Sequence, residues 1–196
     1  MGLESGPRFF GSRGRRALLR VLSPMQNILF TLLMAILLVG CTKPKPTVDI
    51  WTASAKGDVV LIQQNLDAGA DLNAREAAGG STPLMVAALF GQTEAAQLLV
   101  QKGARLDARN NDGATALHLA AFFCQRETAE FLLAKGADVT AKNNRGETPL
   151  DTVAAPWSPD LQTIYVYIAG YFHITLDIQK IKNTRPDMAD LLRKAG

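Results

Sequence analysis

The sequence predicts an all-α solenoid: about four helix-turn-helix repeats with short β-hairpin loops, the last carrying a helical insertion. Three observations predict it. Thr82-Pro83-Leu84-Met85, Thr115-Ala116-Leu117-His118 and Thr148-Pro149-Leu150-Asp151 succeed one another at 33 residues, a period that marks stacked supersecondary units. Leu99-Val100-Gln101-Lys102-Gly103-Ala104 recurs at the same spacing as Leu132-Leu133-Ala134-Lys135-Gly136-Ala137, which gives each unit a second helix and a glycine to stop it. Alanine pairs, Ala87-Ala88 and Ala120-Ala121, sit in the first helix of each inner unit and keep it thin enough for neighbours to stack closely.

The 196 residues allow one domain plus extras. A formal charge of +3 and a pI near 9.0 suggest an anionic partner, but the charge is unevenly placed. Five of the 21 basic residues (Arg8, Arg13, Arg15, Arg16, Arg20) and one of the 18 acidic ones (Glu4) fall in 1–40, leaving 16 and 17 for the rest. The remainder is close to neutral, and the nucleic-acid class loses its main support.

Residues 28–40 are thirteen apolar or small residues interrupted only by Thr31. A helix needs about 20 residues to cross roughly 30 Å of hydrocarbon, so this run is too short to span. It fits the apolar region of a secretory signal, with arginines before it and small residues at its end. A start at Met1 supplies those arginines but makes the signal long. A start at Met25 gives a signal of sixteen residues whose first three, Met-Gln-Asn, carry no base. Both starts stay open.

Leu38-Val39-Gly40-Cys41 resembles the lipobox of bacterial lipoproteins. The resemblance implies cleavage before Cys41 and acylation of that residue. Two or more acyl chains make attachment durable. With Thr42 rather than an aspartate second in the mature chain, it further implies the periplasmic face of the outer membrane of a bacterial envelope. The competing reading is an ordinary signal or short anchor with an incidental cysteine. Residues 42–47, Thr-Lys-Pro-Lys-Pro-Thr, read as an extended tether of about 3.1 Å per residue, on the order of 20 Å in all. With Cys41 acylated, Cys124 is left alone, so no intramolecular disulfide is available. The organisation expected is a signal over 1–40, a lipidated tether over 41–47 and a repeat domain over 48–196.

The first repeat, 48–76, is degraded. Ile50 and Gly57 stand in for the signature leucine and the turn glycine. Its second helix, 58–68, keeps Val59, Ile62 and Leu66 on one face. Gln64 and Asn65, standing where the next repeat has Leu98 and Leu99, suggest the polar outer face of a terminal cap. Repeats 77–110 and 111–143 each open on a turn, Gly79-Gly80 or Asn111-Asp112-Gly113. Thr82 or Thr115 then caps a short helix, with Pro83 where its missing N–H costs nothing. Second helices are expected over 93–102 and 128–135.

This pattern resembles the ankyrin repeat, whose Thr-Pro-Leu-His-x-Ala signature and 33-residue period it shares. The signature histidine survives as His118, with Met85 and Asp151 in the other copies. The resemblance implies that His118 bonds loop backbone and is structural. The fourth repeat, 144–196, departs after Leu150. Signature and second-helix leucines are 15 residues apart in the inner repeats but 42 apart from Leu150 to Leu192, an excess of 27 that places an insert at about 157–184. Trp157-Ser158-Pro159-Asp160 should open a helix over 161–172. A second helical piece is expected at 176–181, and Arg185-Pro186-Asp187 should open a separate final helix.

Nothing assembles into catalytic or cofactor chemistry. There is no Gly-x-Ser-x-Gly elbow, and Gly79-Gly80-Ser81 lacks the lysine and spacing of a phosphate loop. Two histidines, His118 and His173, and one free thiol do not make a metal site of usual density. A Cys124–His118 nucleophile lacks a third, orienting group. The reading is a non-enzyme without cofactors.

The functional signal is apolar surface. In ankyrin repeats the residues after the alanine pair face the concave side and vary with the partner; here they are Leu89-Phe90 and Phe122-Phe123. Burying each is worth about 1.5–3 kcal/mol, so something should cover the stripe they form. Either the insert folds back on it through Ile164, Tyr165, Ile168, Tyr171 and Phe172, or a partner docks there. A division of labour is expected: the insert takes the Phe122-Phe123 end, and Leu89, Phe90 and the hairpin tips meet an unidentified protein. The tip candidates are Arg75, Arg109, Asn111, Asp112, Lys142, Asn144 and Arg145, against the reading that they are plain solvated loop ends. The partners expected are therefore protein and, through the lipid, a membrane, with no nucleic acid and a monomeric chain. The competing functional readings are a structural or protective scaffold whose insert only caps the fold, and a eukaryotic membrane-tethered ankyrin protein.

Overall fold

A computed structural model describes residues 48–172 and 175–196, with 171 and 172 described by backbone alone. The signal, Cys41, the tether to Thr47, His173 and the side chains of Tyr171 and Phe172 lie outside the described residues. The described residues form nine helices: α1 Ile50–Lys56, α2 Val59–Asp67, α3 Pro83–Phe90, α4 Thr93–Gln101, α5 Ala116–Phe122, α6 Arg126–Ala134, α7 Pro149–Ala154, α8 Pro159–Phe172 and α9 Ile178–Ala195. No strand forms among them. The tips turn back through single hairpin-type bonds instead, Glu76 N to Ser81 O at 3.0 Å, Asn110 N to Ala114 O at 3.0 Å and Asn143 N to Glu147 O at 2.9 Å.

Two layers stack along the solenoid. The inner row is α1, α3, α5, α7, and the outer row is α2, α4, α6, closed by α9 against α6 and α7. The inner helices are apolar nearly all round: seven of the eight residues of α3 are buried, as a helix with neighbours on every side requires. Ala87, Ala88, Ala120 and Ala121 are completely buried, which is the close approach their size allows. Outer-row leucines Leu99, Leu132 and Leu192 plug the same core, with Ile50, Ile62, Leu84 and Leu117 beneath them. Repeat-to-repeat hydrogen bonds follow the same period. Gln92 Nε2 donates to Ala55 O at 3.0 Å, Gln125 Nε2 to Leu89 O at 3.2 Å, and the Thr93 and Thr128 hydroxyls meet at 2.8 Å.

Three local expectations need correction. Asn65 is not on a polar outer face. It is buried in the place Leu99 takes one repeat later, because its amide donates to Val48 O at 2.9 Å and Leu61 O at 2.8 Å, closing backbone carbonyls at the array's end. The outer face of the first repeat instead carries Val60, 62% exposed.

The separate pieces expected at 176–181 and after Arg185 are one helix, α9, with Pro186 inside it. Proline forfeits one backbone bond and crowds the preceding turn. Here the side chains on either side of it, Ile181, Arg185, Met188, Ala189 and Leu192, are all buried along one face, and that packing overrides the break. α6 begins at Arg126, two residues before the predicted Thr128, which is itself completely buried.

Candidate functional site

The concave apolar stripe is covered from within the chain. α8 starts after Ser158, whose Oγ accepts from Leu161 N at 3.1 Å, and runs back across repeats three and two. Leu89, Phe123, Tyr165 and Ile181 form a second apolar cluster, flanked by Phe90, Leu119, Phe122, Trp157, Leu161, Ile168, Leu176 and Ile178. Tyr165 stands between the phenylalanines. Its ring stacks on Phe122 at 4.7 Å and on Trp157 at 5.7 Å, and meets Phe123 edge-on at 5.7 Å, arrangements that aromatic quadrupoles favour. Its hydroxyl donates to Phe122 O and accepts from Arg185 Nη1 at 3.0 Å. Burial raises the phenol to about 12, so it is a neutral donor at any physiological pH.

The turn between α5 and α6 is the point of entry. Where the earlier repeats have Gly57 and Gly91, this one has Cys124, at φ 54 the one non-glycine residue with positive φ among the described residues. That conformation costs a side chain about 1–2 kcal/mol. Cys124 Sγ points to Ile181 O at 3.7 Å, and burial raises the thiol above its ordinary value, the opposite of what a nucleophile needs. His118 is equally committed. Nδ1 lies 3.2 Å from Thr115 N, and Nε2 lies 3.1 Å from Glu147 O. The amide needs an acceptor and the carbonyl a donor, so the ring is neutral with its proton on Nε2. Burial lowers its affinity for a second proton.

Most tip candidates stitch one tip to the next. Arg75 Nη2 donates to Asn111 Oδ1 at 2.7 Å. Asn111 N reaches Gly79 O at 2.9 Å and its amide Ala78 O at 3.3 Å. Asn144 repeats the pattern one unit on, N to Asp112 O at 2.9 Å and amide to Asn111 O at 2.9 Å. Arg109 Nη1 bonds Lys142 O and Gly113 O. Arg145 pairs with Glu147 at 2.8 Å. Asp112 and Lys142 use backbone groups in this ladder and keep their side chains exposed.

Between these tips and α8 lies a cleft of about 470 Å³, within the range of small-ligand and peptide sites. Leu89, Leu119, Phe122 and Phe123 floor it, Ile164, Tyr167 and Ile168 form one wall, and Glu76, Asn110, Asp112, Asn143 and Arg145 the other. Leu89 and Phe123 are buried, at 8% and 4% exposure, whereas Ile164 and Tyr167 remain 47% and 72% exposed. The structure thus brings Leu89, Phe122 and Phe123 under α8, leaves Phe90 half-buried at the margin of the cluster, and moves the open apolar surface onto α8 itself. Tyr167 and Arg185 are absent from the sequence-predicted site. The run Ile164-Tyr165-Val166-Tyr167-Ile168 signals a helix with apolar residues on more than one face. Nothing in the sequence marks Arg185 as buried.

The family described as ankyrin repeats in three copies matches residues 50–143. Residues 50–143 are ankyrin repeats. Among curated proteins, an ankyrin repeat-containing protein of Schizosaccharomyces pombe is 31% identical over 67 residues, 34% of this chain and 32% of that protein. A 2-5A-dependent ribonuclease of Mus musculus is 44% identical over 61 residues, 31% of this chain and 8% of the ribonuclease. This chain therefore spans about a third of one relative and under a tenth of the other. Ankyrin repeats are generally protein–protein interaction modules and typically non-catalytic. No helix among the described residues is long and apolar enough to cross a membrane.

Proposed function

We propose that this chain is a non-catalytic protein-interaction module held at a bacterial envelope by lipid on Cys41, and that its partner seats in the cleft between the hairpin tips and α8. The observation that carries the binding reading is Ile164 and Tyr167 standing 47% and 72% exposed on the wall of a cleft with an apolar floor and a polar opposite wall. Leaving large apolar groups wet beside a preformed concavity is unfavourable, and such patches mark interaction sites. The anchoring part rests on Leu38-Val39-Gly40-Cys41 after an apolar run too short to span. On this reading the protein is monomeric and needs neither cofactor nor nucleic acid.

The burial of Leu89 and Phe123 favours a second reading for that part of the stripe, in which the insert serves only as a cap. Replacing Ile164 and Tyr167 together with serine separates the two. The module reading expects an unchanged melt and loss of partner capture, and the cap reading expects a lowered melt and no capture to lose. Mass spectrometry of the mature N-terminus tests the anchor. Acylated Cys41 supports it, and an intact Leu38-Val39 rejects it in favour of a chain tethered some other way, the eukaryotic reading included.

A further inference from the structure

The main apolar core runs through α1 to α7 and the second half of α9, from Met188 to Leu192, and takes no residue from α8. α8 belongs to the satellite cluster alone. Tyr165 is its one buried residue of 159–170, with Leu161, Ile168 and Ala169 half-buried and Ile164, Val166 and Tyr167 exposed. A segment whose removal leaves the main core closed is what opens as a sub-global unit, well below the free energy of global unfolding.

Besides the Tyr165 ring stack, the polar hold of α8 on the rest of the fold converges on Tyr165 Oη and Arg185. Arg185 is 4% exposed. Its Nη1 donates to Tyr165 Oη at 3.0 Å, and its Nη2 donates to Thr152 O and Ala155 O, both at 3.1 Å. Those carbonyls close α7, which ends on an extended Ala155 (φ −56, ψ 139) rather than a glycine turn. A cation at a helix C-terminus is favourably placed. Through Tyr165 the same guanidinium reaches Phe122 O at the end of α5. No carboxylate pairs with Arg185 among the described residues, so these hydrogen bonds are what offsets its desolvation. Losing the guanidinium removes all three at once, whereas losing the Tyr165 hydroxyl leaves the two bonds to α7.

We infer that α8 is a releasable lid over the concave stripe and that Arg185 is its latch. The described conformation is the covered state. Release bares Leu89, Phe90, Phe122 and Phe123 as one apolar surface while the repeats stay stacked. The use of that surface rests on the interaction-module reading, but release itself is measured without a partner, so the two fail separately.

Hydrogen exchange with mass spectrometry on the full chain tests it. In Arg185→Met, segments within 159–170 should exchange about ten- to a hundred-fold faster, the range for losing hydrogen bonds to a charged group, with segments within 83–101 unchanged. Tyr165→Phe keeps the ring stack and loses the hydroxyl, and should fall between wild type and Arg185→Met. Exchange that rises uniformly along the repeats, or that stays at the wild-type rate in 159–170, overturns the latch. If Arg185→Met does not fold, the same comparison between Tyr165→Phe and wild type decides.

Discussion

Replacing His118 with alanine tests how the third and fourth repeats are joined. The imidazole is 2% exposed and accepts at Nδ1 from Thr115 N while donating from Nε2 to Glu147 O across the repeat boundary. Alanine leaves both backbone groups without these partners, at about 1–3 kcal/mol for each one that stays dry. Glu147 lies partly open to water, so we expect a loss of about 2–4 kcal/mol. At roughly 2–4 °C per kcal/mol for a domain of this size, the melt should fall by about 10 °C.

The same residue sets a pH dependence. Burial lowers the folded-state pKa below the ordinary imidazole value of about 6.5, so as pH falls the unfolded chain takes the proton first. The contribution is fully present above 6.5 and is lost as pH falls toward the folded pKa, with a slope of at most about 1.4 kcal/mol per pH unit. Urea denaturation followed by circular dichroism between pH 7.5 and 5 reads it. Wild type should lose stability over that range relative to His118→Ala. His173 is present in both proteins and cancels in the difference. Parallel curves, or wild type gaining stability as pH falls, refute the assignment of a neutral, bridging imidazole.

Phe123→Ala empties the centre of the satellite cluster, where the ring is 4% exposed. We expect about 3–5 kcal/mol of destabilisation in urea, and less for the half-buried Phe122. Gly91→Ala should cost more than Gly136→Ala. Both glycines have positive φ, but a Cβ at Gly91 falls 2.3 Å from Gln125 Oε1 whereas one at Gly136 meets nothing within 4 Å. The first therefore loses the Gln125–Leu89 inter-repeat bond besides the roughly 1–2 kcal/mol of strain that both share, and paired melting curves measure the gap.

The repeats were legible because their signals are local and periodic. Thr82-Pro83, the alanine pairs and the stop glycines fix helix starts, spacing and ends wherever they occur, and the leucine gap from Leu150 to Leu192 marks where the chain departs from the period. His118 could be assigned a structural role from its place in the signature. The errors arose where a tertiary contact outweighed a local rule. Asn65 reads as a surface residue until Val48 O is found beside it. Pro186 reads as a helix start until the buried face of Ile181, Arg185, Met188 and Leu192 runs past it. The site was half legible. Leu89 to Phe123 were visible as a stripe needing cover, and Cys124 was visible as a misfit at a glycine turn. How far the insert reaches, and that it carries the open apolar face with it, depends on Arg185 and Tyr165 meeting across 20 residues, which no periodicity encodes.

If the cleft beside α8 is the binding surface, a residue on its wall should lie against the partner. A photo-crosslinking residue at Tyr167, 72% exposed on the cleft wall, is compared with one at Val60, 62% exposed on the outer face of the first repeat, in cells that make the protein. A discrete crosslinked protein should form from position 167 and none from position 60. Equal products from both positions, or none from 167, contradict that reading.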